Sequence, residues 1–194
     1  MTSNVAALAN NQARGIGRLM VKYMGKPEPM DDFTERLEQI TADRLWGPWP
    51  SGHLEWLLSM TDVEREKFHS YWTWKSRHIR DQFCNDRSLV NMFRIIFPVY
   101  DGPKRLLYRG ENLDRFECGK IGLCWTERKE TAEMFGSGLN AIESGGVLLQ
   151  CEVQPSAILM APNGHSKHLQ EDEYTVDPSA LTGIKVLRDY APSH

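Results

Sequence analysis

Cysteine pairs, long apolar runs and an excess of positive charge are all missing from this sequence. The four cysteines (Cys84, Cys118, Cys124 and Cys151) form no C-x-x-C pair, which favours a reduced, cytoplasmic setting. No run approaches the roughly 20 apolar residues that a membrane span needs. The formal net charge is −3, so composition gives no reason to expect nucleic acid as a partner.

The N-terminus also lacks the continuous apolar segment of a secretory signal. Arg14, Arg18 and Lys22 recur there at helical spacing, which leaves a membrane-surface helix open as an alternative. Gly15 and Gly17 weaken that alternative, because glycine is a poor helix former. A frayed or partner-covered terminal helix is the expectation for this segment.

Helical signals fill residues 31–100. Asp32 with Glu35, and Thr61 with Glu64, resemble capping boxes, and the proline- and glycine-rich residues 46–52 interrupt the helical pattern. Apolar residues follow these signals at helical spacing: Phe33, Leu37 and Ile40; Leu54, Leu57 and Leu58; Phe68, Trp72, Ile79 and Phe83; and Leu89, Met92, Phe93 and Ile96, before a stop at Pro98.

Strand-like segments replace this pattern from about residue 105. Only one helix is expected among them, starting near Thr126 and holding Ala132 and Phe135. Short loops between strands predict antiparallel or mixed sheets. We therefore expect an α+β protein of one compact, monomeric domain, divided into residues 1–30, 31–100 and 101–194. The predicted strands are 106–109, 121–125, 146–153, 157–160, 173–176 and 184–187.

A pair of glutamates stands at the start of one predicted strand. Glu171 and Glu173 are two residues apart, and residues i and i+2 of a strand project from the same face. Two carboxylates on one face repel each other, which raises the pKa of one of them. The pair is therefore a candidate catalytic site, although an acidic edge strand that resists aggregation explains it structurally.

Three features of the second half occur in a fixed order: an arginine ending a strand, a polar strand end before a helix, and the paired glutamates. They are Tyr108-Arg109-Gly110, then Gly122-Leu123-Cys124-Trp125-Thr126, then Glu171-Asp172-Glu173. This order resembles the mono-ADP-ribosyltransferase family of the arginine–serine–glutamate class. The resemblance covers about residues 105–188 and implies a helical region followed by a mixed or antiparallel β-sandwich core.

The resemblance implies NAD as the co-substrate. Arg109, with Gly110 beside it, would hold NAD, and a guanidinium suits phosphate because its fork makes paired hydrogen bonds. Cys124, Trp125 and Thr126 would brace the site. Thr126 is also a natural N-cap for the next helix. Phe135 would pack near the nicotinamide, or simply within the core.

Cys124 departs from the family, which usually has serine there. A thiol is a weaker hydrogen-bonding group than a hydroxyl, so it would orient the catalytic glutamate less firmly. A cysteine nucleophile is an alternative role for Cys124, but no histidine–aspartate partner is identifiable.

Glu173 matches the glutamate that contacts the ribose 2′-hydroxyl and stabilises positive charge as nicotinamide leaves. Glu171 matches the residue that prepares an arginine acceptor. The resemblance thus implies transfer of ADP-ribose to a cellular or host protein, as compact phage and bacterial effectors do, in the cytoplasm of the producing cell or of a host cell. An NAD glycohydrolase and an inactive binding or inhibitor module are the alternatives.

Competing interpretations remain for several of these residues. Arg109 could instead form an ion pair with Glu111 or Asp114. His165, His168 and Glu171 are spaced three apart and could mimic a metal site, although no metal is expected. Tryptophans interleaved with basic residues in the front half could bind nucleic acid. The favoured interpretation is a helix with one face in the core and the opposite face in solvent. The residues concerned are Trp46, Trp49, Trp56, Trp72 and Trp74, with Lys75, Arg77, Arg80 and Arg87.

Overall fold

The chain forms two compact units. The computed structural model describes residues 31–47, 52–83 and 85–193. The helical unit comprises residues 31–104 and Gln154–Ala180, and the sheet unit comprises Arg105–Val153 and residues 181–193. The N-terminal segment, Trp49 and Cys84 lie outside the described residues.

Within the described ranges, the helical unit begins with four helices and later adds a short helix and two strands. Its strands pair antiparallel, with Ile158 opposite Val176 and Met160 opposite Thr175. The elements are α1 (Asp32–Ala42), α2 (Leu54–Ser59), α3 (Asp62–Gln82), α4 (Asp86–Ile96), β4 (Ile158–Met160), α7 (Gly164–His168) and β5 (Glu173–Val176).

Helix α3 forms as the sequence predicts. The Glu64 backbone N–H donates to Thr61 Oγ1 (3.2 Å), and the Thr61 backbone N–H donates to Glu64 Oε2 (2.8 Å), so the capping box is confirmed. The apolar face is confirmed too, because Phe68, Trp72 and Ile79 are all buried. Burial of this face supplies most of the stability of such a helix.

The start of α1 differs from the prediction by one residue. Asp31, not Asp32, is the N-cap, and its carboxylate accepts from the backbone N–H groups of Phe33 and Thr34.

Trp46 and Trp72 are buried in the core. Trp74 is 46% exposed, with the Lys75 ammonium over its ring. The described tryptophans therefore divide between core and surface.

Four strands and two helices build the described part of the sheet unit. The elements are β1 (Arg105–Asn112), α5 (Leu113–Glu117), β2 (Cys124–Thr126), α6 (Lys129–Ser137), β3 (Gly146–Val153) and β6 (Lys185–Tyr190). The strands lie in the order β2-β1-β3-β6 with antiparallel neighbours. In this register Tyr108 lies opposite Thr126, and Arg109 lies opposite Leu149. Strand β6 is mostly exposed.

Helix α6 packs unusually close to strand β1. A Cβ atom on Gly110 would overlap the backbone of Ala132 and Gly136, and backbone atoms cannot move aside as a flexible side chain can. Gly110, predicted from the resemblance to lie beside NAD, therefore has a structural role in this unit.

The α+β class and the antiparallel strands are confirmed, whereas the ADP-ribosyltransferase-like sandwich stays a prediction. The expectation of only one helix among the strands is wrong, because the short helices α5 and α7 also interrupt them. Both have side-chain N-caps, from Asn112 and Asn163, a local signal that outweighs their shortness. In the described part of the chain, no helix is long and apolar enough to cross a membrane.

Candidate functional site

Arg109 was predicted to end a strand, but it lies inside strand β1, which continues to Asn112. Glu111 is two residues further on, so the two side chains project from the same face. Arg109 Nε donates to Glu111 Oε2 at 2.8 Å. The ion pair with Glu111, one of the two alternatives weighed for this arginine, is therefore present.

Arg109, Glu111 and the residues that contact them form a cluster in the sheet unit. Glu111 is buried in this cluster, with 1% of its surface exposed. Its carboxylate also accepts from the backbone N–H of Gly122 (2.7 Å) and of Asn112 (3.0 Å), and Arg115 Nε lies 3.3 Å away. Burial alone would raise the pKa of Glu111. The charge and hydrogen bond of Arg109, with the Gly122 N–H and Arg115, outweigh it and leave the pKa lowered. The cluster thus contains a fully partnered, ionised carboxylate.

Strand β2 and the turn before it complete this cluster. Arg109 Nη1 donates to the Cys124 carbonyl oxygen at 2.5 Å. Trp125 is buried, and its indole N–H donates to the Gly122 carbonyl at 3.0 Å. A Cβ atom on Gly122 would overlap the Arg109 guanidinium. This close approach could not be predicted from the residue types, because it depends on the pairing of β1 with β2.

The remaining sheet-unit candidates lie around this cluster. Cys124 is half-buried and occupies the first position of β2. The N-cap role expected of Thr126 is wrong: α6 begins at Lys129, with Arg128 at its N-cap. Thr126 Oγ1 instead accepts from the Arg128 backbone N–H at 3.0 Å, which holds the turn between β2 and α6. Phe135 is half-buried in the last turn of α6.

Both predicted catalytic glutamates belong to the helical unit. Strand β5 begins at Glu173, and Glu171 precedes it. Gln170 and Asp172 have positive φ angles of 59° and 44°, which is left-handed rather than extended backbone. The strand-alternation argument for a shared face is therefore wrong, because it requires extended residues throughout.

Each glutamate has a defined setting within that unit. Glu171 is 6% exposed, and its backbone N–H donates to the Ser166 carbonyl at 2.9 Å. Glu173 is half-buried at the head of β5. Two residues later, Thr175 Oγ1 accepts from the Trp72 indole N–H at 2.9 Å, and both of these side chains are buried. Helix α3 thereby fixes the strand that carries Glu173.

A short helix precedes the two glutamates. Helix α7 contains His165 and His168, and the Asn163 side chain caps it by accepting from the Ser166 N–H at 2.8 Å. Burial, with His168 nearby, lowers the pKa of His165. No group of three or more histidine, cysteine, aspartate or glutamate residues in the described ranges is arranged to hold a metal.

The candidate residues thus form two sets. The sheet unit contains Arg109 with Cys124, Trp125 and Thr126, and the helical unit contains Glu171 and Glu173. No protein-family description, curated protein or solved structure matches this chain.

Proposed function

We propose that the chain is an NAD-dependent mono-ADP-ribosyltransferase that modifies an arginine of a cellular or host protein and releases nicotinamide. One observation carries the proposal. Arg109 and Cys124, 15 residues apart in sequence, meet on paired strands through the hydrogen bond from Arg109 Nη1 to the Cys124 carbonyl. The proposed arginine and polar-strand motifs therefore form a single cluster, as their shared role in holding NAD requires.

The orientation of Arg109 favours the binding of a phosphate-bearing substrate, whereas the charge of Glu111 opposes it. Arg109 is oriented by Glu111 through Nε and by Cys124 through Nη1, and a guanidinium that is already oriented loses less entropy on binding. Glu111 also offsets the charge of Arg109, which weakens its attraction for phosphate. In this proposal Arg109 orients NAD more than it supplies net charge.

The glutamates supply the electrostatic part of the reaction. NAD provides the ADP-ribosyl group and nicotinamide as the leaving group. The Glu173 carboxylate stabilises positive charge that develops on the ribose, and Glu171 orients the acceptor guanidinium and accepts its proton. In the sheet unit, Thr126 and Cys124 brace the strand β2 beside the NAD-holding Arg109.

Incubation with labelled NAD and a cell lysate tests this proposal. We expect label on a protein band with the unchanged chain and none with Glu173→Gln, which keeps the side-chain shape and removes the charge. Glu130→Gln is the matched control, since Glu130 is an exposed glutamate on α6, and it should label normally. Nicotinamide release without labelled protein would instead indicate an NAD glycohydrolase.

An inactive binding module is the second candidate. The ion pair between Arg109 and the buried Glu111 favours it, because a charge already neutralised is less available to a nucleotide. Cys124, in place of the usual serine, favours it too. Calorimetry with NAD separates the candidates: an absence of heat and of labelling with every lysate tried would support the binding module.

A further inference from the structure

A cavity of about 350 Å³ lies entirely within the helical unit. Its walls come from the first half of α3, the segment after α4 and strand β4 with the residue after it. Cavities of about 300–1,000 Å³ are typical of small-molecule sites. None of the residues proposed to act on NAD lines it.

His69 is a buried residue of the cavity lining. The side chain is 8% exposed, and its ring meets the Phe97 ring edge to face at a centroid distance of 5.5 Å. Within the part of the chain that the structure describes, the His69 ring makes no hydrogen bond to another residue. Burial lowers its pKa to about 4, so at neutral pH the imidazole offers one N–H donor and one nitrogen acceptor. A buried polar group of this kind is costly unless a ligand or water completes its hydrogen bonds.

The exposed part of the cavity lining is acidic. Glu66 and Asp101 are exposed lining residues, and neither forms an ion pair with another described residue. Asp62 also lines the cavity, but Arg65 Nη1 lies 2.7 Å from its carboxylate. Two negative charges thus remain unbalanced at the rim, where they attract a cation.

Apolar side chains line the cavity as well. Leu159 and Met160 of β4 are 6% and 4% exposed, and Phe97 is half-buried beside them. An aromatic ring between Phe97 and Met160 would gain ring-to-ring and sulfur–aromatic contacts. The lining therefore combines a buried polar group, apolar side chains and exposed negative charge.

The geometry points to a binding site for a small aromatic amine whose ring carries a hydrogen-bonding group, with the ammonium between Glu66 and Asp101, the ring against Phe97 and Met160, and the ring substituent on His69. This inference goes beyond the proposed transferase activity and does not depend on it, because binding requires neither NAD nor the glutamates of β5.

Tyramine is the probe, measured by calorimetry and by the chemical shift of the Met160 methyl group. Phenethylamine lacks the hydroxyl that would meet His69, and its binding should be weaker by about fivefold, the effect of one hydrogen bond. 3-(4-Hydroxyphenyl)propionate replaces the ammonium with a carboxylate, and its binding should fall by about tenfold or more through like-charge repulsion. These comparisons use the unchanged protein, so they do not depend on a variant that folds.

Two variants assign each preference to its residue. His69→Leu should abolish the preference for tyramine over phenethylamine, with His69→Gln as a variant that stays polar. Glu66→Gln with Asp101→Asn should abolish the preference for amine over carboxylate. Arg77→Gln is the control, since Arg77 is highly exposed on α3 and does not line the cavity.

A tripeptide with N-terminal tyrosine distinguishes the source of the ligand. Tighter binding than tyramine would indicate a peptide terminus, and weaker binding would indicate a free amine. Equal binding of tyramine, phenethylamine and the propionate would overturn the inference. Binding of tyramine that leaves the chemical shift of the Met160 methyl group unchanged would overturn it too.

Discussion

The two units bury an ionisable side chain in opposite ways. In the sheet unit, Glu111 is surrounded by donors from Arg109, Asn112, Gly122 and Arg115, and its pKa falls despite burial. In the helical unit, the His69 ring packs against Phe97 and makes no hydrogen bond to another described residue, and burial lowers its pKa to about 4. The first group keeps its charge because partners offset desolvation, whereas the second avoids charge altogether. The charge of Glu111 therefore holds the surrounding donors in place, whereas the neutral His69 ring can use its hydrogen-bonding atoms to bind a ligand.

Removal of Glu111 should break the sheet unit most severely. Glu111→Ala leaves Arg109 and the Gly122 N–H without their buried acceptor, and loss of one partner of a buried pair costs about 3–5 kcal/mol. The measurement is the free energy of unfolding in urea.

Glu127→Gln is the matched control for that experiment. Glu127 Oε1 accepts from Arg105 Nη1 at 3.0 Å, but both side chains are more than a third exposed, so the loss should be about 0–1 kcal/mol. Equal losses of unfolding free energy for the two variants would mean that the buried contacts of Glu111 stabilise the sheet unit no more than an exposed ion pair does.

The helical unit should respond to pH through His69. Its folded pKa of about 4 lies below the ordinary value of 6.5, so between these values the unfolded chain binds the proton and the folded chain does not. Stability is therefore complete above pH 6.5 and falls as the pH decreases towards 4, by about 3 kcal/mol at most. Urea unfolding at a series of pH values measures this slope.

His69→Gln sharpens the comparison, because glutamine does not titrate. The variant should lose the slope between pH 6.5 and 4 while the acid loss due to Glu111 persists. The folded pKa of Glu111 is lowered below 4.5, so its contribution is present above pH 4.5 and disappears only as the pH falls through the folded value. An unchanged slope in His69→Gln would assign the effect to other groups.

Gly110→Ala should disturb the sheet unit by packing alone. The added methyl group meets the backbone of α6 at Ala132 and Gly136, and overpacking of this kind costs about 1–3 kcal/mol. Gly164→Ala is the control, because a Cβ atom there meets nothing within 4 Å. Thermal unfolding followed by circular dichroism is the measurement, and similar midpoints for both variants would contradict the close approach.

How far the sequence predicted each unit depends on whether the signal is local. The Thr61–Glu64 capping box and the apolar face of α3 involve residues within a few turns, and both predictions hold. The shared face of Glu171 and Glu173 does not, because it assumed extended backbone between them, whereas Asp172 is left-handed. Aspartate adopts that conformation more readily than most residues, but its presence alone does not predict it. His69 was missed altogether, since its burial depends on Phe97 and β4, which are distant in sequence. Arg109 and Glu111 were paired only as one alternative, because spacing within a strand does not exclude Asp114.

The smallest effect should come from the cap of the helix that carries His69. Thr61→Ala removes the acceptor of the Glu64 N–H, and loss of such a cap costs about 1 kcal/mol. Val63→Ala, at a position 64% exposed on the same turn, should change the free energy of unfolding by less. Because fraying starts at the N-terminal end of α3, hydrogen exchange should accelerate at residues 62–66 before it does at His69. Uniform acceleration along α3 would show that the cap stabilises the whole helix rather than its first turn.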